Sequence, residues 1–399
     1  MPPEASGPQL PASVASASHP PGFSGSRFFD VAIVGGGVIG CSVAYHAARR
    51  GASVALFEAD RISSGASGAA AGMLNAQAES HEPGPMLDLM VESRRMHETF
   101  SERLREETGL DPEYVRAGTL RVATDEAFAE KLAGAYSWQK EEGLSVEWLD
   151  ADEARDLEPG LSPETLAALY FPEEGQVNSP RLVKSLALAA TKMGADIFEH
   201  APVFGFLAEN GRVAGVRAPG GDINAGSVVL AGGAASGRLA AELGVELPVS
   251  PVKGEILSVE ARRAPISANV WDDACYLVAK RDGRIVVGAT EEVGVYDRRP
   301  TLGGVARLSS AASKLIPEMA GCPFVSAWGG LRPGTPDGAP IIGHAEGWDN
   351  LLIATGHYRN GVLLAPVTGE AVSALALGEE SAVDVSPFSH RRIMEAAGL

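Results

Sequence analysis

Residues 35–40 read Gly35-Gly36-Gly37-Val38-Ile39-Gly40, a GxGxxG spacing, and a carboxylate, Glu58, follows 18 residues after Gly40. Residue types in this pattern suit the binding of a dinucleotide. Gly35 allows a tight turn, Gly37 lets the backbone approach a pyrophosphate, and Gly40 lets helix and strand pack closely. Glu58 can accept hydrogen bonds from ribose hydroxyls, and an acid there disfavours a 2′-phosphate, so NADP is not expected. The spacing alone is weak evidence; its weight comes from the elements around it. Asp30–Val34 is a buried-strand pattern, a helix-like stretch with small Ala44 and Ala48 follows, Gly51 ends it as a C-cap, and Val54–Phe57 is a second buried strand. Together these form a βαβ unit whose helix N-terminus, carrying Val38 and Ile39, presents N–H groups and a dipole to phosphates.

The motif does not choose between FAD and NAD. The next segment, Ser63-Ser64-Gly65-Ala66-Ser67-Gly68-Ala69-Ala70-Ala71-Gly72-Met73-Leu74, is a run of small residues that would let a large planar cofactor lie against the backbone. The chain is 399 residues long, with 45% apolar and 21% charged residues, which is ample to bury a core. Its formal charge of −18 makes nucleic acid or an anionic membrane a poor partner. Cys41, Cys275 and Cys322 lie far apart without ligand spacing, so neither a metal site nor a disulfide framework is expected, and a reducing cytoplasm fits.

Residues 1–29 read as a disordered tail, rich in Pro, Ser, Ala and Gly and lacking the basic start of a secretory or transit peptide. Val31–Ala48 is an uncharged run just long enough to resemble a membrane span, but its interior GGGVIG makes it a strand, a glycine turn and a helix start. No membrane span is expected.

At this point the chain resembles the D-amino-acid oxidase-like flavoproteins, and within them is similar to the glycine oxidases of thiamine biosynthesis. The resemblance rests on GASGAAAGML after the GxGxxG…E unit and on later blocks in order: Pro251-Val252-Lys253-Gly254-Glu255, Tyr276-Leu277-Val278, Val287-Gly288-Ala289-Thr290, Trp328–Gly334 (WGGLRPG) and Gly356–Gly361 (GHYRNG). It runs from about residue 30 to about 380. It implies FAD, a two-domain fold, and oxidation of a small amino acid by hydride transfer to the flavin, with dioxygen as acceptor. Some related amine oxidases attach their flavin through a cysteine near the segment matching 331–340. None of the three cysteines falls there, so noncovalent FAD is expected.

The resemblance also implies residue roles. A carboxylate in a dry pocket needs a fixed guanidinium, and Arg332 in GGLRPG matches the carboxylate-binding arginine. Tyr276 matches a substrate-contacting tyrosine that donates to the same carboxylate. Arg359 lies in a turn that contacts the flavin and borders the substrate cavity, with Gly356 and Gly361 supplying permissive backbone. Ala70, Ala71 and Gly72 approach the flavin through backbone atoms, Met73 packs on one ring face, and Val203 fits a strand touching FAD. Gly232 belongs to a second glycine turn approaching FAD. His357 is expected to pack rather than act as a base. Ala274 replaces a residue that is polar in some relatives and puts pocket shape in question.

The expected fold is α/β: a Rossmann-type FAD-binding domain (30–80, 170–248 and 333–385) interleaved with a mainly antiparallel α+β substrate-binding domain (81–169 and 249–332). Helices are expected at 86–108, 181–193 and 361–377, and a hairpin turns at Asn210-Gly211. The expected reaction is oxidation of glycine to glyoxylate, ammonia and hydrogen peroxide, assisted by the substrate's own amine lone pair without a side-chain base. Alternatives are sarcosine or D-amino-acid specificity, a dehydrogenase using another acceptor, and a protein whose FAD is structural. Hand-over of the imine to a thiazole synthase is a further expectation. Assembly as a homo-oligomer is left open.

Overall fold

A computed structural model describes residues 27–261 and 265–397. The expected tail falls outside them except for its last three residues, and Phe28 and Phe29 already belong to the first strand.

One eight-stranded sheet carries the βαβ unit. Strand β1 (Phe28–Val34), helix α1 (Val38–Arg49) and strand β2 (Val54–Phe57) fall where the apolar pattern puts them. β1 lies parallel between Gly221–Leu230 and β2; Leu351–Thr355 and Asp196–Phe198 extend this parallel core on either side. Alternation along β1 explains the layering. Val31 and Ile33 enter a core shared with α1 and helices Pro85–Thr108, Ser179–Lys192 and Ala365–Ala376, whereas Ala32 and Val34 enter a second core on the opposite face. A sheet covered on both faces needs such continuous apolar strands.

The second sheet has nine strands and is antiparallel except where Asn269–Trp271 runs parallel to Thr119–Ala123. Its long central pair is Ser250–Glu260 with Phe324–Gly334; Arg284–Gly288 and Tyr276–Ala279 continue from the other edge of Ser250–Glu260. The fold class is thus α/β with a mainly antiparallel second sheet.

Several elements differ from expectation. Helix Pro85–Thr108, which lies within a stretch assigned to the substrate side, buries Leu87, Leu89, Met90, Phe100 and Leu104 in the core of the first sheet. The helix expected over 361–377 starts only at Ala365, with 361–364 forming a turn, and a further helix, His390–Ala397, follows it. The hairpin turns as expected, with Asn210 and Gly211 both at positive φ (50° and 75°). Among the described residues no helix is long and apolar enough to cross a membrane.

Candidate functional site

The C-terminal ends of β1, β2, Gly221–Leu230 and Leu351–Thr355 open on one cavity of about 480 Å³ that continues to the second sheet. In parallel sheets this edge receives ligands. Of the binding and catalytic residues expected from sequence, all but Gly40 and Gly356 line it: Gly35, Gly37, Val38, Ile39, Glu58, Ala70, Ala71, Gly72, Met73, Val203, Gly232, Tyr276, Arg332, Arg359 and Gly361. The two exceptions act from behind. A Cβ on Gly40 would overlap the Gly35 carbonyl, and one on Gly356, at φ 76°, would press on Thr335.

The dinucleotide end is built from backbone. Gly35 sits at φ 114° against the Ala231 carbonyl, where no side chain fits. The Glu58 carboxylate accepts from Gly36 N–H (2.7 Å) and Asp60 N–H (2.8 Å), so it fixes the glycine turn as well as facing the cavity. A carboxylate has further lone-pair positions, which leaves it able to accept from ribose hydroxyls. Ser67, missed from sequence, accepts from Val38 N–H (2.9 Å) at the start of α1 and keeps its own O–H to donate. Gly72, at φ 86°, brings its backbone against the Val177 carbonyl, and Lys280 Nζ holds the same loop through the Ala71 carbonyl. These features fit an extended dinucleotide: a motif turn that only glycine can make, an N-terminal helix end at the cavity, an acid where ribose would lie, and a wall of small residues beside it.

At the other end the second sheet contributes side chains. Arg332 rests on Gly254 of the adjacent strand and donates to the Thr290 carbonyl (3.2 Å); among the described residues no carboxylate pairs with it. Tyr276 is 6% exposed and lies over Gly288 of its neighbouring strand. Burial pushes its phenol above the usual value, against the opposing charges of Arg332 and Arg359, so the hydroxyl stays a donor.

Arg359 is arranged differently. Its Nε lies 3.1 Å from Glu79, its Nη1 lies 3.8 Å from Glu291, and its guanidinium stands 5.4 Å from the centre of the Trp271 ring. Glu79 lines the cavity, and no signal in the sequence marked it: it lies in an acidic stretch without motif, 280 positions before its partner. His357 faces the cavity but is buried, is held near pKa 3 by burial, and its Nε2 lies 3.1 Å from Thr368 Oγ1. It is therefore neutral and a packing residue. Ala274 is exposed and does not line the cavity. Among the described residues no cluster of His, Cys, Asp or Glu could hold a metal.

A family profile described as FAD dependent oxidoreductase matches residues 30–375. A glycine oxidase of Geobacillus kaustophilus is 41% identical over 93% of this chain and 99% of its own, and the crystal structure of glycine oxidase from that organism superposes with a TM-score of 0.89 over 91% and 98% of the two chains at 40% identity. A glycine oxidase of Bacillus subtilis is 35% identical over 89% and 94%. A bifunctional protein ThiO/ThiG of Synechocystis is 34% identical over 92% of this chain, which matches 54% of that longer protein.

Proposed function

The chain belongs to the FAD dependent oxidoreductase family, and from that premise we propose that it is a glycine oxidase, converting glycine, dioxygen and water to glyoxylate, ammonia and hydrogen peroxide. The observation that carries this reading is one continuous cavity with a dinucleotide cradle at one end and an uncompensated arginine at the other.

FAD, when bound, supplies the two-electron acceptor and the route of those electrons to dioxygen. The chain supplies position and charge. Gly35, Gly37, Val38, Ile39, Ser67 and Glu58 hold the nucleotide; Ala70, Ala71, Gly72, Met73, Val203, Gly232 and Gly361 form the wall beside it. None of the three cysteines lines the cavity, which supports noncovalent binding. Arg332 pairs with the substrate carboxylate, and the Tyr276 phenol donates to the same group. Holding the carboxylate at one point fixes the direction of the Cα–H bond and of the amine. The substrate reacts as its neutral amine, the ammonium proton having gone to solvent water, and the nitrogen lone pair assists departure of hydride from Cα, giving an imine that water hydrolyses. No histidine is asked to act as a base.

In this reading the first sheet and its helices form the FAD-binding part and the second sheet the substrate wall. The imine or its products pass to a thiazole synthase, a step supported by the fused ThiO/ThiG relative. Three unpaired cysteines support a reducing, cytoplasmic setting.

The test is anaerobic mixing of the yellow protein with glycine, followed by air. Bleaching and rapid recovery with peroxide support the proposal. Faster bleaching by sarcosine or a D-amino acid would reassign the substrate. Bleaching without recovery would make the protein a dehydrogenase, and no bleaching by any small amine would overturn the reading.

A further inference from the structure

Four arginines line the cavity; Arg238 and Arg298 are exposed, and the two half-buried ones, Arg332 and Arg359, are not equivalent. Arg332 has a carbonyl partner and no carboxylate, whereas Arg359 is already compensated by Glu79 at 3.1 Å and faces Glu291 at 3.8 Å. Glu79 has little room to leave. The peptide N–H groups of Gln77 and Ala78 both donate to the buried Glu174 carboxylate (2.6 and 2.9 Å). Ser80 Oγ donates to the Ala76 carbonyl, and buried Arg94 donates to Gln77 Oε1 at 2.8 Å. The 76–80 loop is thereby tied down at every residue around Glu79.

With Arg359 compensated, Arg332 is the one half-buried guanidinium of the cavity wall without a carboxylate partner among the described residues, and it accepts one carboxylate. A second carboxylate on the ligand would have to take Arg359 from Glu79, or lie beside the Glu79 carboxylate inside a partly desolvated space. Resting on the reading of Arg332 as the carboxylate partner, we infer that Glu79 is a specificity-determining residue that restricts the site to amines with a single carboxylate. It acts by neutralising Arg359, so dicarboxylic amines such as iminodiacetate are excluded by charge and not by size.

The experiment uses two ether analogues that cannot be oxidised, methoxyacetate and oxydiacetate, which share a backbone and differ in one carboxylate. Each is titrated into the FAD-loaded protein and its Kd read from the flavin absorbance. The wild type binds oxydiacetate at least tenfold more weakly than methoxyacetate. In Glu79→Gln, which keeps the size and removes the charge, that ratio moves at least tenfold toward oxydiacetate. Glu79→Asp keeps the wild-type preference, and Glu291→Gln moves the ratio in the same direction by less. Equal affinities in the wild type, or a ratio unmoved in Glu79→Gln, overturns the inference alone. If Glu79→Gln does not retain FAD, the wild-type ratio and Glu291→Gln decide. Failure of both ligands and of glycine to perturb the flavin overturns the glycine-oxidase reading and the inference with it.

Discussion

The guanidinium of Arg332 lies on the face of Gly254, its neighbour across the longest strand pair, where a Cβ would stand 2.5 Å from Cζ. Gly254→Ala is therefore expected to push the guanidinium off its position. A displacement of about 1 Å at a positioning group costs on the order of 10²-fold in rate terms, so kcat/KM for glycine should fall at least about tenfold while flavin content is unchanged. Arg332→Ala removes the partner altogether and should raise KM by about 10² or more. Steady-state kinetics with flavin absorbance checks both; a wild-type KM in Arg332→Ala would remove Arg332 from the site.

Tyr276 and Gly288 repeat the arrangement one strand pair away. Tyr276→Phe loses one hydrogen bond to the substrate, about 1 kcal/mol, so KM should rise about fivefold. Because burial raises the phenol, it does not titrate below its usual range. The KM–pH profiles of wild type and Tyr276→Phe should therefore run parallel from pH 7 to 10. A limb present only in the wild type would show that the phenol ionises there.

Gly40→Ala should yield protein without bound flavin, because its Cβ would overlap the Gly35 carbonyl and open the turn beneath the pyrophosphate. Gly303→Ala, on a helix with open space around it, is the control and should retain flavin. The ratio of flavin to protein absorbance reads the difference. Full flavin content in Gly40→Ala would refute the packing argument.

Stability should fall in acid. Burial lowers His46 and His357 to about 3 and His97 to about 4 from an ordinary 6.5. Their folded values are depressed, so the stability they contribute is present above 6.5 and is lost as pH falls toward the folded values, about 1.4 kcal/mol per pH unit for each proton. Glu174 has the opposite sign: burial, against its backbone N–H donors and Arg94, raises it to about 7. Its contribution is full below the ordinary glutamate value and lost as pH rises through 7. Urea midpoints from pH 4 to 8 should fall toward the acid end, and Glu174→Gln should steepen that fall by removing the opposing proton. An unchanged slope in Glu174→Gln would contradict its assignment.

The βαβ unit was legible because its physics is local. A strand, a turn at Gly35 that excludes side chains, a helix start and an acid in register all lie within 31 consecutive residues, Phe28 to Glu58. The block around Arg332 and Tyr276 was legible only through resemblance, since an arginine before Pro-Gly on a strand end carries no chemistry by itself. What the tertiary structure alone decided is which charges are already satisfied. Glu79 meets Arg359 and Gly254 seats Arg332 because separate stretches of chain converge on one cavity. Electrostatic compensation and steric fit depend on distances of a few ångströms, and nothing in the order of residues along the chain sets those distances. The sequence thus determined the βαβ unit and its glycine turn, whereas only the packing of the two sheets left Arg332 without a carboxylate partner among the described residues and paired Arg359 with Glu79.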